Sequence, residues 1–110
     1  MPNLKIYLDK SLSRDRQQSL ANSLSEIRDL LISHLEVPVS ACQLAVIEVA
    51  GLPDQPLANA ELFIMPGEKR TKAARDALAT ALQTLIAPLL DTNVAVRIAL
   101  LDPATYIALK

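Results

Sequence analysis

The second residue of the chain is a proline, and its chemistry depends on whether Met1 stays in place. The chain begins Met1-Pro2-Asn3-Leu4, and an initiator methionine is normally removed when a residue as small as proline follows it. Removal leaves a secondary amine, and an α-amino group ordinarily titrates at about 7.7–8.0. Burial lowers this pKa, so the amine becomes a base suited to proton transfer beside a carbonyl group. With Met1 retained, the nitrogen is an amide without basicity, and Pro2 simply begins a strand.

Arg97 is a candidate for binding a negatively charged substrate. It interrupts the apolar run at residues 94–101, and arginine is seldom fully buried without a partner. Its planar guanidinium is suited to holding a carboxylate through two parallel hydrogen bonds. The alternative is a structural role, in an ion pair or along a subunit interface. The carboxylates available for such a pair are Glu48, Glu61 and Asp102.

Arg70 and Tyr106 are weaker candidates for the same kind of site. Arg70 stands just before a predicted helix, where free backbone N–H groups help to bind an anion; alternatively, it is a solvated loop residue. Tyr106 either closes a pocket or docks the C-terminal tail. Cys42 has no activating partner nearby in the sequence, so we interpret it as a small packed residue.

Composition excludes several classes of function. The chain has 110 residues and a net charge of −1, and 51% of its residues are hydrophobic. This predicts one domain without the basic surface that nucleic acid requires. No apolar run reaches the length of a membrane span, and no secretory signal is recognised. One cysteine excludes an internal disulfide, and a cytoplasmic location is expected. The absence of a Cys/His cluster and of a Gly-rich loop predicts neither metal nor cofactor.

The first half of the chain reads as strand, helix, strand. Residues 2–8 alternate between apolar and polar side chains, which is the period of a strand. One amphipathic helix of about twenty residues is predicted next, with Ser13 as its N-cap and Pro38 closing it. Residues 43–49 read as the second strand. The apolar stripe of the helix comprises Leu20, Leu24, Ile27, Leu31 and Leu35.

The second half repeats this order. Residues 50–60 contain glycine and two prolines and read as a loop, and residues 61–65 read as a third strand. Thr71 is the expected N-cap of a second amphipathic helix, which Pro88 should kink or end early. Residues 94–101 form the fourth strand, and a short tail follows. The apolar stripe of this helix comprises Ala74, Leu78, Leu82, Leu85 and Leu89.

The two halves align with each other, and this predicts two tandem βαβ units within a single domain, residues 1–110. The units span roughly residues 2–49 and 61–102. Parallel strands are expected within each unit, so the fold class is α+β, with a four-stranded mixed sheet and two helices on one face. Strands two and four are apolar on both faces, whereas a sheet that faces water should alternate. We therefore expect another subunit to cover the second face.

The proline start, the repeat and the ending Leu101-Asp102-Pro103-Ala104-Thr105-Tyr106 together resemble the tautomerase superfamily. This group includes 4-oxalocrotonate tautomerase, macrophage migration inhibitory factor and 5-carboxymethyl-2-hydroxymuconate isomerase, and the ending is most similar to the last branch. The resemblance covers nearly the whole chain and implies a homotrimer whose sheets face inward. It also implies that Pro2 moves a proton in an enol or keto carboxylic acid while cationic groups hold the substrate carboxylates.

Three positions depart from the pattern of this family. Members often carry Gly-Arg-Ser after the first strand, whereas this chain has Asp9-Lys10-Ser11, so Lys10 is the matching cation. The similar motif after the third strand in the isomerase branch is Gly67-Glu68-Lys69-Arg70-Thr71 here, with two residues inserted. Some members place a substrate-binding arginine at the start of the second strand, where this chain has Gln43. Glutamine cannot neutralise a carboxylate, so these departures bear on which substrate is bound more than on the fold.

Two classes of function remain open. The first is a small isomerase or tautomerase that uses Pro2 and binds a small carboxylic acid. The second is a non-catalytic module on the same βαββαβ plan that binds or senses a small carboxylate, because element order does not fix function. Removal of Met1 would favour the enzyme, and its retention would favour the module. The predicted substrate-binding residues are Arg97, Arg70, Lys10, Gln43 and Tyr106.

Overall fold

Four strands and three helices alternate along the chain as two strand–helix–strand units. In the computed structural model the elements are β1 (Asn3–Asp9), α1 (Arg14–Asn22), α2 (Leu24–Leu35), β2 (Gln43–Val49), β3 (Ala58–Ile64), α3 (Lys72–Leu90) and β4 (Val94–Leu100). The strands form one mixed sheet in the order β2-β1-β3-β4. This is the predicted four-stranded sheet, with three helices where two were expected.

The pairing of the strands follows the two units. Strands β1 and β2 are parallel, and so are β3 and β4. The units meet through β1 and β3, which are antiparallel, with Leu4 opposite Leu62 and Lys5 opposite Glu61. Because β1 runs antiparallel to β3, and β4 runs parallel to β3, the N-terminal end of β1 lies at the same end of the sheet as the C-terminal ends of β3 and β4. This arrangement brings Pro2 to the edge of the sheet where both later strands end.

One face of the sheet is covered by the helices and forms the core. Leu4, Ile6 and Leu8 of β1 are completely buried, as their alternation predicts. On the same face, the central strand β3 contributes the small buried residues Ala58 and Ala60. Their short side chains let the helices approach the sheet closely. The helices contribute completely buried Leu20, Ile27, Leu31, Leu82, Ile86 and Leu90.

The predicted first helix is divided into two, which corrects the sequence interpretation. Ser23 lies between α1 and α2 with φ −102° and ψ 7°, outside the helical range. Its hydroxyl donates to the carbonyl of Ser19 at 3.0 Å, a local bond that competes with regular helix geometry. The second helix ends at Leu35, where Glu36 adopts the left-handed conformation with φ 54°. Pro38 therefore follows the helix without ending it directly.

Two predictions for the second half also need correction. Strand β3 begins at Ala58, within the predicted loop, because Ala58 and its neighbours pair with both β1 and β4. Alanine and asparagine favour strands only weakly, so this pairing is decided by tertiary context. Helix α3 continues through Pro88 to Leu90. Proline has no backbone N–H, so the helix loses one hydrogen bond, and this loss falls close to its C-terminal end. The predicted N-caps are confirmed, with Ser13 accepting from Arg16 N–H and Thr71 from Ala74 N–H.

The second face of the sheet carries mainly apolar side chains on its edge strands and mainly polar ones on its central strands. The register places Ala45, Ile47 and Val49 of β2 on this face, and Ala95 and Ala99 of β4. No helix covers it, and Phe63 on this face remains 40% exposed. We call this surface the open face. The central strands contribute Asn3, Lys5, Tyr7, Asn59 and Glu61.

Asp9 ties the end of β1 to the two loops beside it. Its carboxylate accepts from the backbone N–H of Ser11 and from that of Gly51, both at 2.9 Å. Hydrogen bonds from Ser11, and then from Gly51, hold the pKa of this carboxyl below its usual value. A Cβ added at Gly51 would lie 2.6 Å from the Gln55 amide nitrogen and 3.3 Å from Asp9 Oδ1, so a larger residue would require the flexible Gln55 side chain to move.

Replacing Asp9 by asparagine is expected to lower the melting temperature at neutral pH. A carboxamide has one acceptor oxygen, so one of the two N–H groups loses its partner. Because the folded-state pKa is depressed, the stabilisation is present above the unfolded pKa of about 3.9 and is lost as pH falls through the folded value. Thermal melts of wild type and Asp9→Asn should therefore differ at pH 7 and converge in acid. A difference that stays constant down to pH 2 would contradict this assignment.

No helix of the chain combines the length and apolarity needed to span a bilayer.

Candidate active site

Pro2 lies immediately before β1 at the end of the sheet. It is buried, and its carbonyl accepts a hydrogen bond from the backbone N–H of Gln43 at 3.0 Å. This bond extends the parallel pairing of β1 and β2 by one residue. The strand therefore fixes the position of the proline ring, while Met1 projects outward and is 37% exposed.

Pro2 opens onto a cavity of about 350 Å³. Gln43 enters it from the start of β2, and Met65 enters from the end of β3. Tyr106 and the tail close the opposite side, so the cavity combines an apolar wall with a phenol and an amide. The lining residues are Met1, Pro2, Asn3, Gln43, Met65, Tyr106, Ala108, Leu109 and Lys110.

A turn after β4 places Tyr106 beside the cavity. The carboxylate of Asp102 accepts from the Ala104 N–H, and its carbonyl accepts from the Tyr106 N–H, each at 2.9 Å. Asp-Pro sequences commonly begin such turns, and here Pro103 follows. The turn sends residues 106–110 back across the N-terminal end of β1.

The surroundings favour a neutral amine at the N-terminus. Burial lowers the pKa of the Met1 α-amino group, and the positive charges of Lys110 and Arg70 lower it further. Desolvation and like charges both disfavour an ammonium ion. An amine on Pro2 would lie one residue deeper, beside the same cavity.

Arg70 is held close to this end of the sheet by backbone contacts. Its guanidinium donates to the Met65 carbonyl at 2.8 Å and to the Leu35 carbonyl at 3.5 Å. The Met65 contact directs the positive charge toward the cavity that Met65 lines. Arg70 itself does not line the cavity, so within one chain its influence on Pro2 is electrostatic.

The other two predicted cations lie elsewhere in the chain. Arg97 is on the open face of β4, opposite Glu61, and its guanidinium donates to Asn59. Asn59 lies farther from the Pro2 end of the sheet, so Arg97 points away from the cavity. Lys10 follows the opposite end of β1, where its N–H donates to the Val49 carbonyl at 2.8 Å. One chain thus brings Pro2, Gln43 and Tyr106 together, with Arg70 nearby.

Six of the nine lining residues were not predicted as site residues, among them Lys110 and Met65. Lys110 supplies a positive charge and Met65 part of the wall. The Asp102-Pro103 turn signal was visible in the sequence, but the direction of the tail after it was not. No cluster of three or more His, Cys, Asp or Glu residues has the geometry to hold a metal ion.

The chain shares its fold with solved structures of low sequence identity. A native fused 4-OT matches with a TM-score of 0.74 and 17% identity, over 96% of this chain and 91% of that one. A wild-type fused 4-OT described as an asymmetric trimer matches with a TM-score of 0.72 and 20% identity, over the same 96% and 91%. A malonate semialdehyde decarboxylase inhibited by 3-bromopropiolate matches with a TM-score of 0.61 and 17% identity, over 94% and 86%.

These matches confirm the predicted four-stranded α+β fold, which the chain shares with the fused 4-OT proteins and the malonate semialdehyde decarboxylase. The sequence matches no protein-family model. It also matches no curated protein sequence.

Proposed function

We propose that the chain is an isomerase of the tautomerase type, with Pro2 as its base and acid. The observation that carries this proposal is the position of Pro2, buried at the edge of a cavity beside the N-terminus, where burial and the charges of Lys110 and Arg70 lower the pKa of the Met1 α-amino group. The fold shared with fused 4-OT supports it. Removal of Met1 is part of the proposal, because only the free nitrogen is basic.

The proposed reaction moves one proton within an enol or keto carboxylic acid. The neutral Pro2 nitrogen accepts a proton from the substrate, which leaves a delocalised dienolate. The protonated nitrogen then returns that proton to a different carbon, so substrate and product have the same composition. One group can serve both steps when its pKa lies near the working pH. Substrates of the 5-carboxymethyl-2-hydroxymuconate type have the required enol and carboxylates.

Each neighbouring residue has a proposed part in this reaction. Arg70 and Lys110 stabilise the negative charge that develops on the dienolate. Gln43 and Tyr106 orient the substrate through neutral hydrogen bonds from opposite sides of the cavity. Gln43 donates without neutralising, so the net charge needed to bind a carboxylate comes from the cations.

We further propose that the active form is a homotrimer with the open faces turned inward. The exposed apolar side chains of the open face support this assembly, as does the trimer described for a fused 4-OT of the same fold. Arg97 and Lys10 are distant from Pro2 within one chain. In the proposed trimer they reach a substrate only at the Pro2 cavity of a neighbouring protomer.

A direct assay tests the proposed activity. The chain is purified without an N-terminal tag, and its intact mass establishes whether Met1 is absent. Ultraviolet absorbance then follows the conversion of 2-hydroxymuconate or phenylpyruvate between enol and keto forms. Processed protein is expected to accelerate the conversion in a concentration-dependent way. Processed protein with the rate of buffer on both compounds would contradict the isomerase and leave the carboxylate-binding module.

Replacing Arg70 by glutamine is expected to lower kcat/KM about ten- to a hundred-fold, the effect of losing about 1.5–3 kcal/mol of charged interaction. Removing the positive charge also raises the pKa of the amine. Since the neutral amine is the active form, the acid limb of the pH–rate profile should move to higher pH.

Lys72→Gln is the matched control for this experiment, because Lys72 is an exposed cation on α3 that pairs only with Asp76. Its pH profile should equal that of the wild type. Melting temperatures of both variants separate catalysis from folding, since Arg70 also contacts two backbone carbonyls. An unchanged acid limb in Arg70→Gln would remove Arg70 from the site.

A further inference from the structure

Arg28 of α2 has an unsatisfied donor inside the protein. Its Nε atom is buried and has no hydrogen-bond partner. None of the three salt bridges of the chain includes Arg28. A donor without accessible surface is also out of reach of a ligand, so only the Nη groups of Arg28 can contact one.

The guanidinium borders a second cavity, of about 490 Å³. This volume exceeds the roughly 350 Å³ of the Pro2 cavity. Gln43 lines both cavities, so they lie on either side of the start of β2. We call the second one the Arg28 cavity. Its lining residues are Lys5, Leu24, Ser25, Arg28, Cys42, Gln43 and Leu44.

The charges of the Arg28 cavity all have one sign. Lys5 and Arg28 are its only charged lining residues, and no Asp or Glu lines it. Lys5 Nζ donates to Asn3 Oδ1 at 2.6 Å, which leaves two of its three N–H donors for a ligand. Ser25 and Gln43 add neutral groups that can donate. The cavity therefore offers two cations and several donors without a counter-charge.

We propose that the Arg28 cavity binds the carboxylate group of a small molecule. The two Nη groups of a guanidinium form parallel donors whose spacing matches the two oxygens of a carboxylate. Lys5 supplies a second charge, and the apolar side chains of Leu24 and Leu44 contact the organic part of the ligand. This site shares Gln43 with the Pro2 cavity, and its occupancy does not depend on turnover.

Cys42 provides a reporter inside the same cavity. It is the only cysteine of the chain, it is partly exposed, and it lines the Arg28 cavity. Burial raises the pKa of its thiol, and the charge of Arg28 opposes this rise. Two matched alkylating reagents used at one pH react with the same fraction of thiolate. The ratio of their rates therefore reports how the cavity treats each reagent, independently of the pKa of the thiol. In each reaction the thiolate sulfur displaces iodide and forms one carbon–sulfur bond.

The experiment compares the alkylation rates of iodoacetate, which carries a carboxylate, and iodoacetamide, which is neutral. Iodoacetamide is the faster reagent toward an ordinary exposed thiol. In the wild-type protein we expect iodoacetate to be faster at Cys42, with a rate that saturates as its concentration rises. Acetate should protect Cys42 from labelling, and intact mass should show a single added group.

Arg28→Gln and Lys5→Gln should each reduce the ratio of the two rates at least tenfold, and Lys72→Gln should leave it unchanged. Arg28→Lys keeps the charge without the fork and should give an intermediate ratio. The two positions are tested separately, so a folding defect in one variant leaves the other decisive. A faster reaction with iodoacetamide, or the same ratio in Arg28→Gln and wild type, would overturn the proposal. Labelling requires no turnover, so an inactive but processed protein would refute the isomerase and not this site.

Discussion

Inserting one serine between Met1 and Pro2 should lower turnover by about 10²–10⁴-fold, the usual contribution of general acid–base catalysis. The insertion turns the Pro2 nitrogen into an amide, which has no basic lone pair. The new terminal amine lies one residue farther out, where Met1 is already 37% exposed. The strand pairing through the Pro2 carbonyl and Gln43 is retained, so the fold should not change. Steady-state assays with intact mass of each protein measure the effect.

Pro2→Ala is the matched control for the insertion. It keeps an amine at the same position after Met1 is removed, but the amine is primary and less constrained. Its activity should fall without vanishing, between wild type and the insertion variant. Equal activity of the insertion variant and the wild type would eliminate Pro2 as the base. Circular dichroism and sedimentation of all three proteins should agree, which assigns the losses to chemistry.

Phe63→Asp should convert the proposed trimer into monomers at micromolar concentration. Phe63 lies on the open face of a central strand and is 40% exposed in the isolated chain. Burying a phenylalanine side chain contributes about 1.5–3 kcal/mol, and a threefold assembly repeats the loss in each protomer. A buried carboxylate adds a desolvation penalty. Sedimentation velocity of wild type and variant should show the trimer only in the former.

Leu52→Asp controls for the loss of an exposed apolar side chain, because Leu52 is 65% exposed in the loop after β2. This variant should remain a trimer. Phe63 does not belong to the buried core, so the secondary structure of Phe63→Asp should equal that of the wild type. A wild-type chain that sediments as a stable, folded monomer would refute the proposed assembly.

The positions of helices and strands were largely predictable because they depend on short-range periodicity. The alternation of residues 2–8 placed β1 correctly, and the caps at Ser13 and Thr71 were found. The errors occurred where local preference conflicts with longer-range contacts. The sequence places Ala58 in a loop because glycine and two prolines precede it within residues 50–60, and only pairing with β1 and β4 makes it a strand residue.

The candidate site was less predictable than the fold. The sequence makes Arg97 a stronger candidate than Arg70 for binding the substrate. The structure separates them, since Arg70 is held near the Pro2 end by the Met65 carbonyl and Arg97 points toward Asn59. Lys110 was not a candidate, because the path of the tail follows from the turn at Asp102.

The sequence by itself determined the secondary structure, the tandem repeat and the presence of a proline whose nitrogen becomes basic when Met1 is removed. These properties depend on neighbouring residues, whose spacing sets which side chains share a face. Only the tertiary structure decided which groups surround that nitrogen and that the Arg28 guanidinium borders a cavity without a partner. Such contacts join residues far apart in the chain, and their geometry exists only after the sheet and helices have packed.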